Sequence, residues 1–203
     1  MPSHKTHCTI SKKRIGYDLK KLYFITSNKG KVREATEKLR LLGFSVVQKD
    51  LGYPEVQADS LEEVVQQGIE HVRAKFHKAF MLEDTGLFID ALQGFPGVYS
   101  KYVFFTIGLP GILRLLQGVK NRKAVFRSVY AYSEPGKKPV IVMGECNGMI
   151  SNEHRGKHGF GYDPIFIPND EEKTFGEMTI EEKNQFSHRA KALEKLITEL
   201  KNL

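Results

Sequence analysis

Leu22-Tyr23-Phe24-Ile25-Thr26-Ser27-Asn28-Lys29-Gly30-Lys31 is the stretch from which the rest of the chain can be read. Its first four residues are an apolar run of strand formers, the pattern of a short buried β-strand. The run stops at Thr26-Ser27-Asn28. A helical period then takes over, with Val32, Ala35, Leu39 and Leu42 on one face and Gly43 as a stop. The turn between strand and helix also has chemistry. A helix N-terminus presents unpaired N–H groups and a partial positive charge. Asn28 can cap it, Gly30 can let a ligand approach the backbone, and Lys31 adds a cation one turn in. Together these describe a phosphate site. It is not a P-loop, since G-x-x-x-x-G-K-[ST] is absent. A capped helix with a solvated lysine would carry the same letters.

Outward from this unit, strands and helices alternate. Phe44 to Val47 predicts a second strand. Ser60-x-x-Glu63 is a capping box opening a helix with Leu61, Val64, Val65, Ile69, Val72 and Phe76 inward. Ala79-Phe80-Met81-Leu82 predicts another buried strand, expected to end at Glu83-Asp84-Thr85-Gly86. Residues 94–97 (Gly-Phe-Pro-Gly) mark a loop-rich middle, with helices expected over 99–106 and 110–116. Two β-prone runs, 124–133 and 139–150, flank Glu134-Pro135-Gly136-Lys137, a hairpin signal. Residues 164–167 predict a late strand. Thr179-x-x-Glu182 is a second capping box, and Ala190, Leu193, Ile197 and Leu200 form the inner face of a last helix. The pattern is that of an α/β protein with a mixed sheet.

The 203 residues suit one large domain or two closely joined lobes. With 40% hydrophobic and 27% charged residues the chain is neither disordered nor fibrous, and no run approaches the ~20 apolar residues of a membrane span. Cys8 and Cys146 lack metal-ligand spacing, and without a secretory leader the expected address is the cytoplasm. The net charge of +7 raises a nucleic-acid reading, but residues 1–21 alone carry +5 and the remainder only +2. Basicity therefore belongs to an extension expected to be poorly ordered, ahead of a domain over 22–203.

Three further motifs point to a site. Glu83-Asp84, read as the end of a buried strand, would cost desolvation energy unless paired or metal-bound. Hard oxygen ligands at a strand mouth suit Mg²⁺, and Glu55 could add another. Gly159-Phe160-Gly161-Tyr162-Asp163-Pro164 is a tight aromatic turn able to stack on a base. Lys183, Ser187, His188 and Arg189 cluster donors at the start of the last helix, with a break expected near Phe186. Taken singly, each also fits an ordinary turn or a solvated helix start.

In combination the motifs resemble the ITPase family, the inosine/xanthosine triphosphate pyrophosphatases. The likeness runs from about Leu22 to Leu200. It rests on Thr26-x-Asn28-x-x-Lys31, Glu83-Asp84-Thr85-Gly86-Leu87, Phe95-Pro96-Gly97, Phe160-Gly161-Tyr162-Asp163-Pro164, and Lys183 followed by Ser187-His188-Arg189. The resemblance implies an elongated mixed-sheet fold, two lobes around a central cleft, and a homodimer. It implies hydrolysis of ITP, dITP and XTP to the monophosphate and pyrophosphate. Thr26, Ser27, Asn28, Lys29, Gly30 and Lys31 would hold the triphosphate. Glu55 and Asp84 would bind Mg²⁺, with Asp84 the proton acceptor for the attacking water. Thr85 would touch substrate, Phe160, Gly161, Tyr162 and Asp163 would form the base loop, and Lys183, His188 and Arg189 would contact phosphate, sugar or base. Whether Glu83 or Lys101 joins the site stays open. Two rivals remain: a nucleic-acid-binding module, opposed by the near-neutral core, and a non-hydrolysing nucleotide regulator, opposed by the intact Asp84 and Lys31.

Overall fold

The computed structural model describes residues 20–53 and 57–202. Glu55 and most of the basic extension lie outside the described residues. Strand β1 (Lys20–Ile25) starts two residues earlier than the sequence suggests, because Lys20 and Lys21 pair in register with the next strand. Helix α1 (Lys29–Leu41) crosses over to β2 (Phe44–Lys49), which lies parallel to β1. Asn28 caps α1, its side-chain oxygen accepting from Gly30 N (2.8 Å) and Lys31 N (3.2 Å).

Helix α2 (Leu61–Arg73) leads to β3 (Phe80–Ile89). Ser60 caps α2 through Glu63 N, but the Glu63 carboxylate returns to Asp59 N and not to Ser60, so the box is half closed. The helix also stops before Phe76, which packs beyond its end. Strand β3 does not end at Glu83 as expected. It runs on through Asp84, Thr85 and Gly86 because β5 pairs with it along its whole length. The Gly86 that reads as a breaker is a site of close approach: a β-carbon there would strike the Gly97 carbonyl of β4 (Pro96–Gly97), which pairs with Leu87 and Phe88.

Helices α3 (Ser100–Thr106) and α4 (Gly108–Leu115) follow, then the hairpin of β5 (Lys123–Ser133) and β6 (Val140–Ile150). The late strand β7 (Phe166–Pro168) is shorter than expected, since Asp163–Ile165 form a 3₁₀ turn. Thr179 and Glu182 form the full capping box of the four-residue α5 (Ile180–Lys183). The break near Phe186 is present, and Ser187 caps α6 (His188–Lys201).

The sheet order is β2-β1-β3-β5-β6-β7, with β4 beside β3. The parallel part is β2-β1-β3 and the antiparallel part is the rest. β3 belongs to both. It pairs with β1 only at Phe80 and Met81, and with β4 only from Leu87. Residues 82–86 thus have no described partner strand on that edge, and the cleft opens there. Apolar packing follows the same division. Leu22, Phe24, Leu39 and Leu196 fill one face of the parallel part, and Ile25, Val65, Ile69 and Leu82 the other. A third cluster around Ile112, Phe126, Phe166 and Phe175 fills the far lobe.

Candidate active site

The strand period sets what Glu83 and Asp84 do. Successive side chains of a strand point to opposite faces. Met81 packs on the α1/α6 face and Leu82 on the α2 face. Glu83 follows Met81 and is fully buried. Asp84 follows Leu82 and opens into the cleft, with 24% of its side chain exposed. The two carboxylates are not a ligand pair at a strand end. They are a structural acid and a cleft acid on opposite faces of one continuous strand.

The cleft has a volume of about 550 Å³. One end is formed by Thr26, Ser27, Asn28, Lys31, Asp84 and Thr85. Thr26 N donates to Lys49 O (3.0 Å), and Gln48 Nε2 donates to Thr26 O (2.9 Å), so the turn is tied to the end of β2. Lys31 Nζ sits 2.7 Å from Glu83 Oε2 and 4.0 Å from Asp84 Oδ1. The other end is formed by Phe160, Gly161, Tyr162, Asp163 and Arg189. Lys101 also lines the cleft, with Phe104 and Phe105.

Behind the second end Lys183 and Arg189 meet three buried carboxylates, Glu34, Glu83 and Asp163, in one ionic network, which Lys31 joins through Glu83. Lys183 Nζ donates to Glu34 Oε1 and Asp163 Oδ2, both at 2.6 Å. Arg189 Nη1 donates to Glu34 Oε2 at 3.0 Å, and its Nε to Glu83 Oε1 at 3.2 Å. Ser128 and Thr85 hydroxyls also donate to Glu83 Oε1. Asp163 Oδ2 further accepts from Phe160 N at 2.8 Å and so shapes the aromatic turn. The guanidinium carbon of Arg189 stands 4.7 Å from the centre of the Phe160 ring.

Charge pairing decides the protonation states. Burial would raise the Glu83 pKa, but Lys31 and Arg189 outweigh it and bring it down to about 2. Burial likewise opposes ionisation of Glu34, and Lys183 and Arg189 overcome it, so its pKa is lowered. Asp163 is raised, first by burial and then by the Glu34 charge, against the pull of Lys183. Arg189 is raised by Glu34, Glu83 and Asp163 despite its burial.

Four expected site residues do not line the cleft. Lys29 is exposed on the outside of α1. Gly30 is buried, and a β-carbon there would collide with the Phe160 ring, so its smallness makes room for the aromatic turn. Lys183 is 2% exposed, held between Glu34 and Asp163. His188 is fully buried and stacks on Phe126 (4.5 Å, 11°), and neither ring nitrogen has a hydrogen-bond partner. Burial, then Arg189 and Lys183, press its pKa well below the ordinary value. Among the described residues no group of three or more His, Cys, Asp or Glu is placed to hold a metal. The cleft acid Asp84 offers one hard oxygen donor beside the phosphate turn, which fits Mg²⁺ bound mainly through substrate oxygens.

Sequence reasoning missed Glu34, the hub of the network. Its signal was present: it lies four residues after Gly30, on the α1 face next to the apolar stripe, where a carboxylate must be paired. Asp50, Tyr53, Phe104 and Phe126 also line the cleft without a local motif to announce them.

Residues 22–199 match the Ham1 family. The chain is 55% identical over 181 residues to a Pyrococcus horikoshii protein named dITP/XTP pyrophosphatase, covering 89% of this chain and 97% of that one. It is 52% identical over 181 residues to a Thermococcus kodakarensis protein of the same name, with coverage of 89% and 97%. Among solved structures, a HAM1 protein from Coxiella burnetii superposes with a TM-score of 0.76 at 30% identity, covering 91% of this chain and all of that one. The Staphylococcus aureus Ham1 protein does so with 0.76 at 27% identity, over 90% and 99%. The mixed seven-stranded sheet, the cleft at its switch from parallel to antiparallel and the matched sequence agree: the chain belongs to the Ham1 family.

Proposed function

We propose that the protein hydrolyses deaminated purine nucleoside triphosphates (ITP, dITP and XTP) to the monophosphate and pyrophosphate, clearing them from the nucleotide pool. The observation that carries this is one cleft with a capped helix N-terminus, Lys31 and Asp84 at one end and an aromatic turn beside a fixed guanidinium at the other. The relatives named dITP/XTP pyrophosphatase support the same substrate class.

On this reading the triphosphate lies against Thr26–Lys31, where the positive end of α1 and the Lys31 ammonium complement its charge. Asp84 takes a proton from a water aimed at the α-phosphorus. The new P–O bond forms at that phosphorus, the bond to the bridging oxygen of the β-phosphate breaks, and pyrophosphate leaves. Mg²⁺, held by Asp84 and by Glu55, would offset charge on the phosphate oxygens. Phe160 stacks on the base. Arg189 has Nε and Nη1 committed to carboxylates, while its Nη2 has no protein partner among the described residues. That nitrogen is suited to donate to a 6-oxo group. A 6-amino group would face donor with donor and leave a buried group unpaired. The reading includes a homodimer in the cytoplasm. Among the described residues no helix is long and apolar enough to cross a membrane.

The test is pyrophosphate release over ITP, XTP, dITP, GTP and ATP. Turnover should favour the first three, vanish in excess EDTA and return with Mg²⁺. Equal turnover of ATP and ITP would remove the assignment of substrate class. Full activity in chelator would remove the metal role of Asp84.

A further inference from the structure

The end of the sheet away from the cleft is locally and strongly positive. Strands β1 and β3 begin there and the β5–β6 hairpin turns there: Tyr23 pairs with Phe80, Phe80 with Ser133, and Tyr132 with Val140. Lys20 and Lys21 open β1, Lys75 and Lys78 lead into β3, and Lys137 and Lys138 lie in the hairpin turn, all exposed. Contacts tie these segments together. Lys78 Nζ stands 5.6 Å from the centre of the Tyr23 ring. Arg73, at the end of α2, donates from Nε to Ser133 Oγ (2.6 Å) and from Nη2 to the Lys137 carbonyl (2.7 Å). Residues 73–79 and 134–139 hold five Lys or Arg and one acid, Glu134, a net of +4. That is twice the +2 of residues 22–203 as a whole, so the near-neutral core is a sum over unlike regions. Glu134 is taken by Lys137 (3.2 Å), and Lys20, Lys21, Lys75, Lys78 and Lys138 form no ion pair among the described residues. The dipole of α2 and two hydrogen bonds account for Arg73, but the lysines all lie outside the helices.

From this end we infer a surface for the phosphate backbone of a nucleic acid, separate from the nucleotide cleft. Spacing supports it. The cations sit at the ends of four neighbouring strands, β1, β3, β5 and β6. Three gaps at ~4.8 Å make a row of roughly 14 Å. Along a duplex each strand presents one phosphate every ~3.4 Å, so such a row faces about four phosphates of one strand. Surface chemistry supports it as well. Among the described residues, none of the exposed large hydrophobic side chains lies in these segments, so nothing there would insert beneath lipid headgroups. Residues 1–19 join the chain at Lys20 and add four Lys or Arg against one acid, Asp18. Contacts to phosphate carry no sequence information, so the surface would bind without regard to base order. None of these lysines lines the cleft, so nucleic acid and nucleotide would occupy the protein together.

The experiment is fluorescence anisotropy of a labelled DNA duplex of about 20 base pairs, titrated with the full chain at roughly 50 and 200 mM KCl. With about four phosphates neutralised, affinity should fall by ~150-fold or more across that range. A duplex of unrelated sequence should bind within about two-fold of the first. The variant combining Lys75→Glu, Lys78→Glu, Lys137→Glu and Lys138→Glu should bind at least ~10-fold more weakly at the lower salt, with a shallower salt dependence and parental ITP turnover. If its far-UV spectrum shows that it does not fold, the same four lysines changed to Gln replace it and should also weaken binding. Parental affinity in the folded variant would overturn the surface, as would a parent that binds no duplex. Displacement of the duplex by polyglutamate as readily as by unlabelled duplex of equal charge would overturn it in favour of an acidic protein partner. A parent that ignores the duplex but pellets with vesicles of equimolar phosphatidylcholine and phosphatidylglycerol would overturn it in favour of a membrane surface.

Discussion

The two ends of the cleft are built on opposite principles. At the Phe160 end the charges are buried and paired before any ligand arrives: Lys183, Arg189, Glu34, Glu83 and Asp163 hold one another at 2.6 to 3.2 Å. At the Thr26 end the groups are part-exposed, and Asp84 stands 4.0 Å from Lys31. Selecting a neutral base among similar bases needs donors whose direction is fixed, and a network with no spare carboxylate fixes them. Gripping a highly charged triphosphate needs accessible positive potential, which the helix terminus and Lys31, 15% exposed at the cleft and paired with Glu83, supply. On the proposed function one end serves selection and the other charge, and variants should separate the two.

The largest effect is expected at the open end. Asp84→Asn keeps shape and removes the proton acceptor, so the rate of ITP hydrolysis should fall by roughly 10²–10⁴-fold. Thermal stability should barely change, because the side chain faces the cleft. An Asp84→Asn enzyme with parental turnover would sink the proposed mechanism.

The opposite signature belongs to the network hub. Glu34→Ala leaves Lys183 and Arg189 Nη1 buried without their shared carboxylate, at a cost of about 3–5 kcal/mol. For a domain of this size that corresponds to a loss of ~10 °C in Tm. Calorimetry on parent and variant checks it. An unchanged Tm would mean that the base end is not preorganised by this network, and the contrast between the ends would collapse.

A third variant sharpens what the network is for. Arg189→Ala should weaken ITP hydrolysis more than ATP hydrolysis, narrowing their ratio of kcat/KM by about 10- to 100-fold. Both activities are to be measured at a temperature where the variant is folded. A uniform drop for both nucleotides would move Arg189 from base to phosphate and leave the backbone near Phe160 as the reader.

The smallest effect concerns His188, stacked on Phe126 behind the base end. Its folded pKa lies below the ~6.5 of the unfolded chain, so between the two values the unfolded state binds the extra proton. The neutral ring's contribution is complete above that range and is lost as pH falls below ~6.5, by up to ~1.4 kcal/mol per pH unit. The Glu34 and Glu83 contributions fade only in more acid solution, because both folded values lie below the ordinary 4.5. His188→Phe keeps the stack and removes the proton site. Denaturant midpoints at pH 7.5 and 5.5 should therefore differ less in the variant than in the parent. Equal pH sensitivity in both would place the acid-labile group elsewhere.

How much of this could be read in advance depends on range. The turn into α1, the hairpin about Pro135-Gly136, the capping box at Thr179 and the break before His188 are local. Each is fixed by a few neighbouring residues whose dihedral preferences and caps act over one turn of chain, and each stands close to where the residues put it. The length of β3 was not local. Asp84, Thr85 and Gly86 disfavour a strand by themselves, and pairing with β5 and β4 overrode them. That single extension separates the adjacent acids: with period two, Glu83 enters the network and Asp84 the cleft.

The sequence alone therefore determined the order of elements, the family motifs and the chemical types at the site. Periodicity, capping and turn chemistry depend only on near neighbours. Tertiary structure alone decided which of those groups face the cleft and which stand behind it. Lys183 and His188 are polar and clustered in the sequence, and the structure sets one between Glu34 and Asp163 and stacks the other on Phe126. Gly30 makes room for Phe160, 130 residues further along the chain, and Glu34 meets Arg189 across 155. Burial and pairing are properties of space, and contacts of that separation leave no period in the sequence from which they could be read.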